Sequence, residues 1–229
     1  MKVFAHRGYS QKYPESTRLA YEKAIEAGTD GFECDVRLTK DQEIVCFHDR
    51  NLRRIGNTKK AVARTTLVEM REKASAISLN DLLDLAIANG IDLLIETKHP
   101  VLSSGSIEKA VIELLKSRER EIRDAKIEIR LMSFSRLAVR RMKKSSYPTM
   151  KVIKYLLGFL IRPTKDFAID IELLRKHPKV IQRNSYNRTY VWTVNSKADL
   201  TWLKEKAIFA VITDRPKRAA RILLSSGNG

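Results

Sequence analysis

Short stretches of β-rich, alternating residues recur along the chain, separated by stretches in which apolar residues return every three or four positions. Period two marks strands and period 3.6 marks amphipathic helices, so their repeated alternation predicts βα units around a parallel sheet. Strands are expected at 3–6, 31–36, 44–48, 93–97, 127–133, 151–156, 190–194 and 209–213, with a further short one near 167–169. Helices are expected at 16–27, 79–89, 107–120, 136–144, 196–205 and 215–224. Ser78 or Asn80, Ser106, Ser135, and Asn195 or Ser196 stand where a side-chain oxygen caps the first free N–H groups, while Gly28 and Gly90 stand where helices stop. No Pro-, Gly- or Ser-rich linker and no internal repeat interrupts the pattern, so residues 1–229 are expected to form a single domain. Its least regular stretch, 49–76, is too long for an ordinary βα loop. It is expected to pack on the mouth or side of a barrel, with Arg50, Arg53, Arg54, Lys59, Lys60 and Arg64 facing an anion.

Strand parity concentrates the chemistry. In GFECDVRL, alternation puts Glu33 and Asp35 on the face opposite Phe32, Cys34 and Val36. In IDLLIETK, Glu96 and Lys98 share the face opposite Ile91, Leu93 and Ile95. Carboxylates facing one another inside a barrel require a cation, since an unpaired buried carboxylate costs several kcal/mol. Pairing with Lys or Arg is the plain alternative. The oxygen-only set Glu33, Asp35 and Glu96 suits one divalent ion, Mg²⁺ or Ca²⁺ with Mn²⁺ as a further option, and lacks the ligands of structural zinc. His6 and His48 end predicted strands and open on one barrel face, so they are candidates for general acid/base work. Arg7 and Lys98 supply cations for phosphoryl oxygens. His99 and His177 carry no such context.

Charge adds a partner question. The chain carries 44 Lys and Arg against 27 Asp and Glu, a net charge of +17. The excess is uneven, since residues 129–165 hold ten basic side chains and no acidic one. That tract is either a solvated face or an attractor for phosphate-bearing substrates, an anionic membrane surface or nucleic acid, the last being the least favoured. Cys34 and Cys46 are too few for a disulfide framework and are read as reduced. The longest apolar run, 155–161, falls short of the roughly 20 residues that span a bilayer. With a strand beginning at Lys2 there is no room for a signal peptide, and a cytoplasmic location is expected. Oligomeric state is not legible.

The fragments AHRGYSQKYPEST, FECDVRLTKDQEIVCFHD, SLNDLL, LLIETK, MSFS, VWTVN and VITDRP occur in that order, and together they resemble the glycerophosphodiester phosphodiesterase family from the N-terminus almost to the end. The resemblance implies a (β/α)8 TIM barrel with its active site at the C-terminal face of the strands. It implies metal-dependent hydrolysis of glycerophosphodiesters to glycerol 3-phosphate and an alcohol, by attack of a glycerol hydroxyl on phosphorus and opening of the cyclic phosphate by water. Carried over by motif, Glu33, Asp35 and Glu96 bind the metal, His6 and His48 are the general base and acid, Arg7 and Lys98 hold phosphate, and Glu15 supports the site. Phe134 and Trp192 are candidates for the wall around the glycerol or alcohol group. Phe159 and Leu160 are candidates for the rim, with core burial the favoured alternative.

Three departures from the family pattern stand out, the first bearing on local hydrogen bonding or metal geometry, the second on the turn alone and the third on substrate preference. Ser16 stands where the family has Asn, Asp41-Gln42 replaces the usual Asp-Gly turn, and the segment after His48 is short. Two other functions compete: lysophospholipase D-type action on lysophospholipids, and a non-catalytic barrel that binds anionic lipid or nucleic acid.

Overall fold

The computed structural model describes residues 1–99, 105–160, 164–182 and 188–224, apart from the side chains of Phe159, Leu160, Gln182 and Leu224. Nine strands are present among them: β1 (Lys2–His6), β2 (Gly31–Leu38), β3 (Ile44–Cys46), β4 (Asp92–Thr97), β5 (Ile129–Ser133), β6 (Thr149–Ile153), β7 (Phe167–Asp170), β8 (Thr189–Trp192) and β9 (Ala210–Thr213). The described helices are α1 (Arg18–Glu26), α2 (Leu67–Ala74), α3 (Leu79–Asn89), α4 (Ser106–Ser117), α5 (Glu119–Asp124), α6 (Arg136–Met142), α7 (Leu156–Leu160), α8 (Ile171–Lys176), α9 (Lys179–Gln182), α10 (Lys197–Lys204) and α11 (Pro216–Leu224). Eight strands pair in parallel, in the order β1-β9-β8-β7-β6-β5-β4-β2, and β2 returns to β1 to close a (β/α)8 barrel.

The strand expected at 44–48 is not a barrel strand. It forms the short β3, paired antiparallel to the outer half of β2 through Val36↔Cys46 and Leu38↔Ile44. Only five residues separate Leu38 from Ile44, whereas a parallel crossover needs roughly a dozen or more, so a hairpin is the available connection. Its turn places Gln42 at φ 63°, in the left-handed region where the glycine of an Asp-Gly turn fits without strain. The short run near 167–169 takes the vacated place as β7, between β6 and β8. The strand expected at 151–156 ends at Ile153, and Leu156 begins α7.

Parity fills the barrel as the alternation predicts. Phe4, Leu94, Met132, Val152, Tyr190 and Ile212 point inward as one apolar cluster. Residues of the opposite parity, such as Phe32, Ile95 and Leu131, pack outward against the helices. Gly31 is required by this filling, because a Cβ there would lie 2.1 Å from the Phe4 ring. Thr17 caps α1, Ser78 caps α3, Ser135 caps α6 and Ser196 caps α10, each accepting from a backbone N–H of the first turn. Residues 49–76 contain a 3₁₀ turn (Val62–Arg64) and α2, which is held by a capping box of Thr66 and Glu69. Leu52, Val62 and Met70 form a small core of their own with Phe47, fixing this excursion beside the barrel mouth. Among the described residues, no helix is long and apolar enough to cross a membrane.

Candidate active site

The C-terminal ends of β1, β2 and β4 bring three carboxylates together. Glu33 and Asp35 are two residues apart on β2, and Asp35 stands in register beside Glu96 on β4. Equal parity on neighbouring strands forces convergence, and one oxygen from each of Glu33, Asp35 and Glu96 lies within 4.8 Å of the others. All three side chains are buried.

Two cations reach the same point. Arg7 Nε lies 2.7 Å from Asp35 Oδ2, and Lys98 Nζ lies 3.1 Å from Asp35 Oδ1 and 2.8 Å from Glu96 Oε1. The plain alternative of pairing with basic residues is therefore realised for Asp35 and Glu96. For Glu33 the salt-bridge contact is His6 Nε2, at 3.8 Å. Three acids face two fixed cations; Glu33 Oε2 has no hydrogen-bond donor, and Asp35 Oδ2 meets Arg7 Nε as an ion pair without hydrogen-bond alignment.

The titration of the cluster reflects this imbalance. Burial, then Asp35, pushes the Glu33 carboxyl well above the usual range, against the pull of Arg7. Burial and Asp35 likewise raise Glu96 to about 7, with Lys98 opposing. Asp35 goes the other way: burial disfavours its charge, but Arg7 and Lys98 hold it well below the ordinary carboxylate range. The cluster thus resists carrying three charges. An orphaned Glu33 oxygen within reach of Asp35 and Glu96 fits a hard divalent cation, with Glu33, Asp35 and Glu96 as its ligands.

The histidines flank this cluster on the rim of one cavity, together with Arg7, Lys98 and Phe134. His6 Nδ1 lies 2.6 Å from Asp214 Oδ1. Asp214 also accepts from Ser10 Oγ at 3.0 Å and from Asn195 Nδ2 at 2.6 Å. His48 Nδ1 lies 2.7 Å from Asp49 Oδ1, and Asp49 in turn accepts from Arg54 Nε at 2.7 Å. Each carboxylate accepts the Nδ1–H of its imidazole, leaving Nε2 free for proton transfer. Burial, aided by nearby Arg7 and Lys98, lowers the His48 pKa despite Asp35. His48 itself lies beyond β3, where Arg37 fixes it by donating from Nε and Nη2 to its carbonyl at 2.9 and 2.8 Å.

Glu15 does not reach the cluster. It bridges Arg7 (Nη1 to Oε1, 3.0 Å) and Arg54 (Nη2 to Oε1, 2.7 Å), tying the first motif to the 49–76 excursion. Of the basic residues expected to face an anion from that excursion, Arg54 and Lys60 are engaged within the fold, Lys60 with Glu69 at 2.6 Å. Arg7 sits at φ 57° and Gly8 at φ 84°, a reversal that turns the chain across the mouth. At Gly8 a Cβ would also lie 2.7 Å from the backbone of Ala20. Ser16 is buried at φ 58°, and its Oγ is without a partner. Phe134 and Trp192 meet edge to face at 5.5 Å, with Lys98 Nζ 5.7 Å from the Phe134 ring centre. The side chains of Phe159 and Leu160 lie outside the described residues. His99 turns away to Glu108, 2.6 Å from its Nε2.

Sequence reasoning missed Asp49, Lys154, Asn195 and Asp214. Parity was the available signal for two of them. Lys154 continues the inward series Met150, Val152 on β6 and lines the cavity, and Asp214 continues Ala210, Ile212 on β9.

Comparison with known proteins agrees with this geometry. The model of the glycerophosphoryl diester phosphodiesterase family matches residues 6–218. A relative from Mycobacterium tuberculosis, named "Probable glycerophosphodiester phosphodiesterase 1", is 30% identical, the match covering 94% of this chain and 90% of the relative. The glycerophosphodiester phosphodiesterase of Caldanaerobacter subterraneus is 28% identical over 98% of both chains. Among solved structures, the glycerophosphodiester phosphodiesterase of Thermotoga maritima superposes with a TM-score of 0.80 at 24% identity, covering 97% of this chain and 98% of its own. An Oleispira antarctica phosphodiesterase, solved with its product sn-glycerol-3-phosphate, superposes at 0.79 with 20% identity, covering 98% of this chain and 97% of its own. The chain belongs to the glycerophosphoryl diester phosphodiesterase family and is a phosphodiester hydrolase.

Proposed function

We propose that the whole chain acts as one catalytic domain, which hydrolyses glycerophosphodiesters to glycerol 3-phosphate and an alcohol with the help of one divalent ion. The observation that carries this reading is the charge balance at the mouth. Three carboxylates against Arg7 and Lys98 leave one negative charge uncompensated in a buried site. A divalent cation reverses that to one positive charge, which a singly charged phosphodiester then neutralises. The product-bound Oleispira antarctica enzyme supports the choice of substrate, because it shares the fold and holds sn-glycerol-3-phosphate.

Glu33, Asp35 and Glu96 would hold Mg²⁺, Ca²⁺ or Mn²⁺, and such an ion supplies charge stabilisation at the phosphoryl oxygens. Arg7 and Lys98 bind and orient those oxygens, with Glu15 fixing the Arg7 guanidinium. In the reverse of the order carried over by motif, His48, whose lowered pKa keeps it neutral near pH 7, accepts the proton of the attacking glycerol hydroxyl. His6, oriented by Asp214, gives its proton to the oxygen of the departing alcohol as the phosphorus–oxygen bond breaks. With the roles reversed, water opens the resulting cyclic phosphate. Phe134 and Trp192 form the apolar wall of the cavity.

The test is direct. Protein stripped with EDTA is given glycerophosphocholine, and glycerol 3-phosphate release is followed with Mg²⁺, Ca²⁺ or Mn²⁺ restored. Release only with a divalent ion is expected. Full activity in EDTA, or no product with any of the three ions, would refute the reading.

A further inference from the structure

The large apolar side chains that remain exposed are not spread evenly. Among the described residues they are Met1, Leu19, Val68, Phe134, Leu137, Tyr155, Leu156 and Leu157. Five of these eight follow two adjacent parallel strands: Phe134 and Leu137 come directly after β5, and Tyr155, Leu156 and Leu157 directly after β6. Parallel strands deliver both segments to the same end of the barrel, the end that carries the carboxylates. The segments are joined there, because Lys151 Nζ donates to the Phe134 carbonyl and Phe134 and Lys154 line the same cavity. Tyr155 is 72% exposed, Leu157 65% and Leu137 60%, so these side chains stand in solvent. An apolar rim of this kind, continuous with a substrate cavity, marks an interaction surface.

Its charge selects the partner. The exposed ionisable side chains within the two segments and the first turns of α6 are Arg136, Arg140 and Lys154, all positive. No acidic residue occurs anywhere from 129 to 165. Basic side chains interleaved with Leu and Tyr on one face match a bilayer interface, where cations meet anionic headgroups, Tyr lies at headgroup depth and Leu enters the acyl layer. We propose that the rim formed by residues 134–140 and 154–157 docks the barrel mouth-down on an anionic lipid surface. Docked this way, the cavity faces the headgroup layer. The inference goes beyond the catalytic reading and does not depend on it, since docking needs neither the metal nor turnover.

The experiment uses the full chain in EDTA with phosphatidylcholine vesicles, pure or with about a third phosphatidylglycerol, and measures co-sedimentation at physiological salt. Two variants accompany the wild type: L137S/Y155S/L157S, which removes the apolar contacts, and R136E/R140E, which reverses two charges. None of these residues belongs to the catalytic or cavity-lining set, so melting temperature and hydrolysis of water-soluble glycerophosphocholine should match wild type and report intact folding. The wild type is expected to bind the anionic vesicles and not the neutral ones. Each variant should bind at least about tenfold more weakly. Wild-type protein that ignores anionic vesicles would overturn the proposal, as would apolar-variant binding equal to wild type. So would a self-association by light scattering that the apolar variant abolishes, or DNA binding that outcompetes the vesicles. Loss of hydrolysis in all forms with vesicle binding intact would instead count against the catalytic reading alone.

Discussion

The two ends of the barrel carry charge clusters built from the same residue types, buried at the mouth and half-buried at the opposite end apart from Arg130, and they behave oppositely. At the N-terminal ends of the strands, Arg130 pairs with Glu128 and Asp166, and Arg188 also pairs with Glu128. The two guanidinium groups lie over Tyr190 and Phe209. Two cations meet two acids. Burial disfavours the Glu128 charge, but hydrogen bonds from Arg188 and Arg130 outweigh it and lower its pKa. At the C-terminal ends, three acids meet two cations, and Glu33 and Glu96 are raised instead. A balanced cluster closes the barrel, whereas the imbalance at the other end is what the proposed divalent ion would relieve.

Substitutions at the two ends should therefore separate activity from stability. Glu33→Gln is expected to lower kcat/KM for glycerophosphocholine by about a hundredfold to a thousandfold, while the melting temperature in EDTA stays level or rises because a reluctant buried charge is gone. Arg130→Ala should do the reverse. Arg130 is buried but its acids are partly exposed and Glu128 keeps Arg188, so the loss is expected to cost about 1 to 3 kcal/mol, read by urea unfolding, with kcat/KM little changed. If Arg130→Ala abolishes turnover in folded protein, the division between the ends is wrong.

Asp214→Asn sharpens the comparison within the mouth itself. Asp214 touches His6 and not the acidic cluster, so the expected loss is in kcat, about tenfold to a hundredfold. The affinity for a divalent ion should remain at the wild-type value. A matched loss of ion affinity would place Asp214 among the groups that hold the ion instead of the groups that position His6.

The smallest effect is a pH dependence of stability. In the folded protein Glu96 is raised from its ordinary 4.5 to about 7. Folding therefore favours the protonated form, whose stabilising contribution is full below about 4.5 and is lost as pH rises through about 7. Gln mimics that protonated form at every pH. In EDTA, the melting temperature of wild type minus that of Glu96→Gln should fall by a few degrees, about 4 °C per kcal/mol, between pH 5 and pH 8. A difference that stays flat or rises would contradict the assigned direction.

Much of this was legible from spacing alone. Period-two parity put Glu33, Asp35, Glu96 and Lys98 on inward faces, because a one-residue error would have placed charges among the helices. Parity also reached Lys154 and Asp214, which lie one step beyond the last apolar inward residue of β6 and β9. Lys154 lay inside the strand expected at 151–156 and Asp214 one residue past that at 209–213, but both went unread because neither has a second ionisable residue of the same parity on its own strand, as Glu33 has in Asp35. The strand expected at 44–48 is present as Ile44–Cys46, but outside the parallel barrel. Alternation identifies a strand but not its partner, and the five-residue connection from Leu38 to Ile44 was the decisive clue. The family resemblance gave Arg7 the phosphate and Glu15 a supporting role, but the contact of Glu15 with Arg54 was not legible, since it depends on the 49–76 excursion folding back.

The claim on which the rest depends is that the acidic mouth takes one divalent ion. Titration of EDTA-stripped protein with Mn²⁺, followed by the loss of the free-ion electron paramagnetic resonance signal, measures this without any substrate. One tightly held ion per chain is predicted for wild type and for Arg130→Ala, with binding lost in Glu33→Gln/Asp35→Asn. No binding by wild type, or undiminished binding by that double variant, would contradict the account.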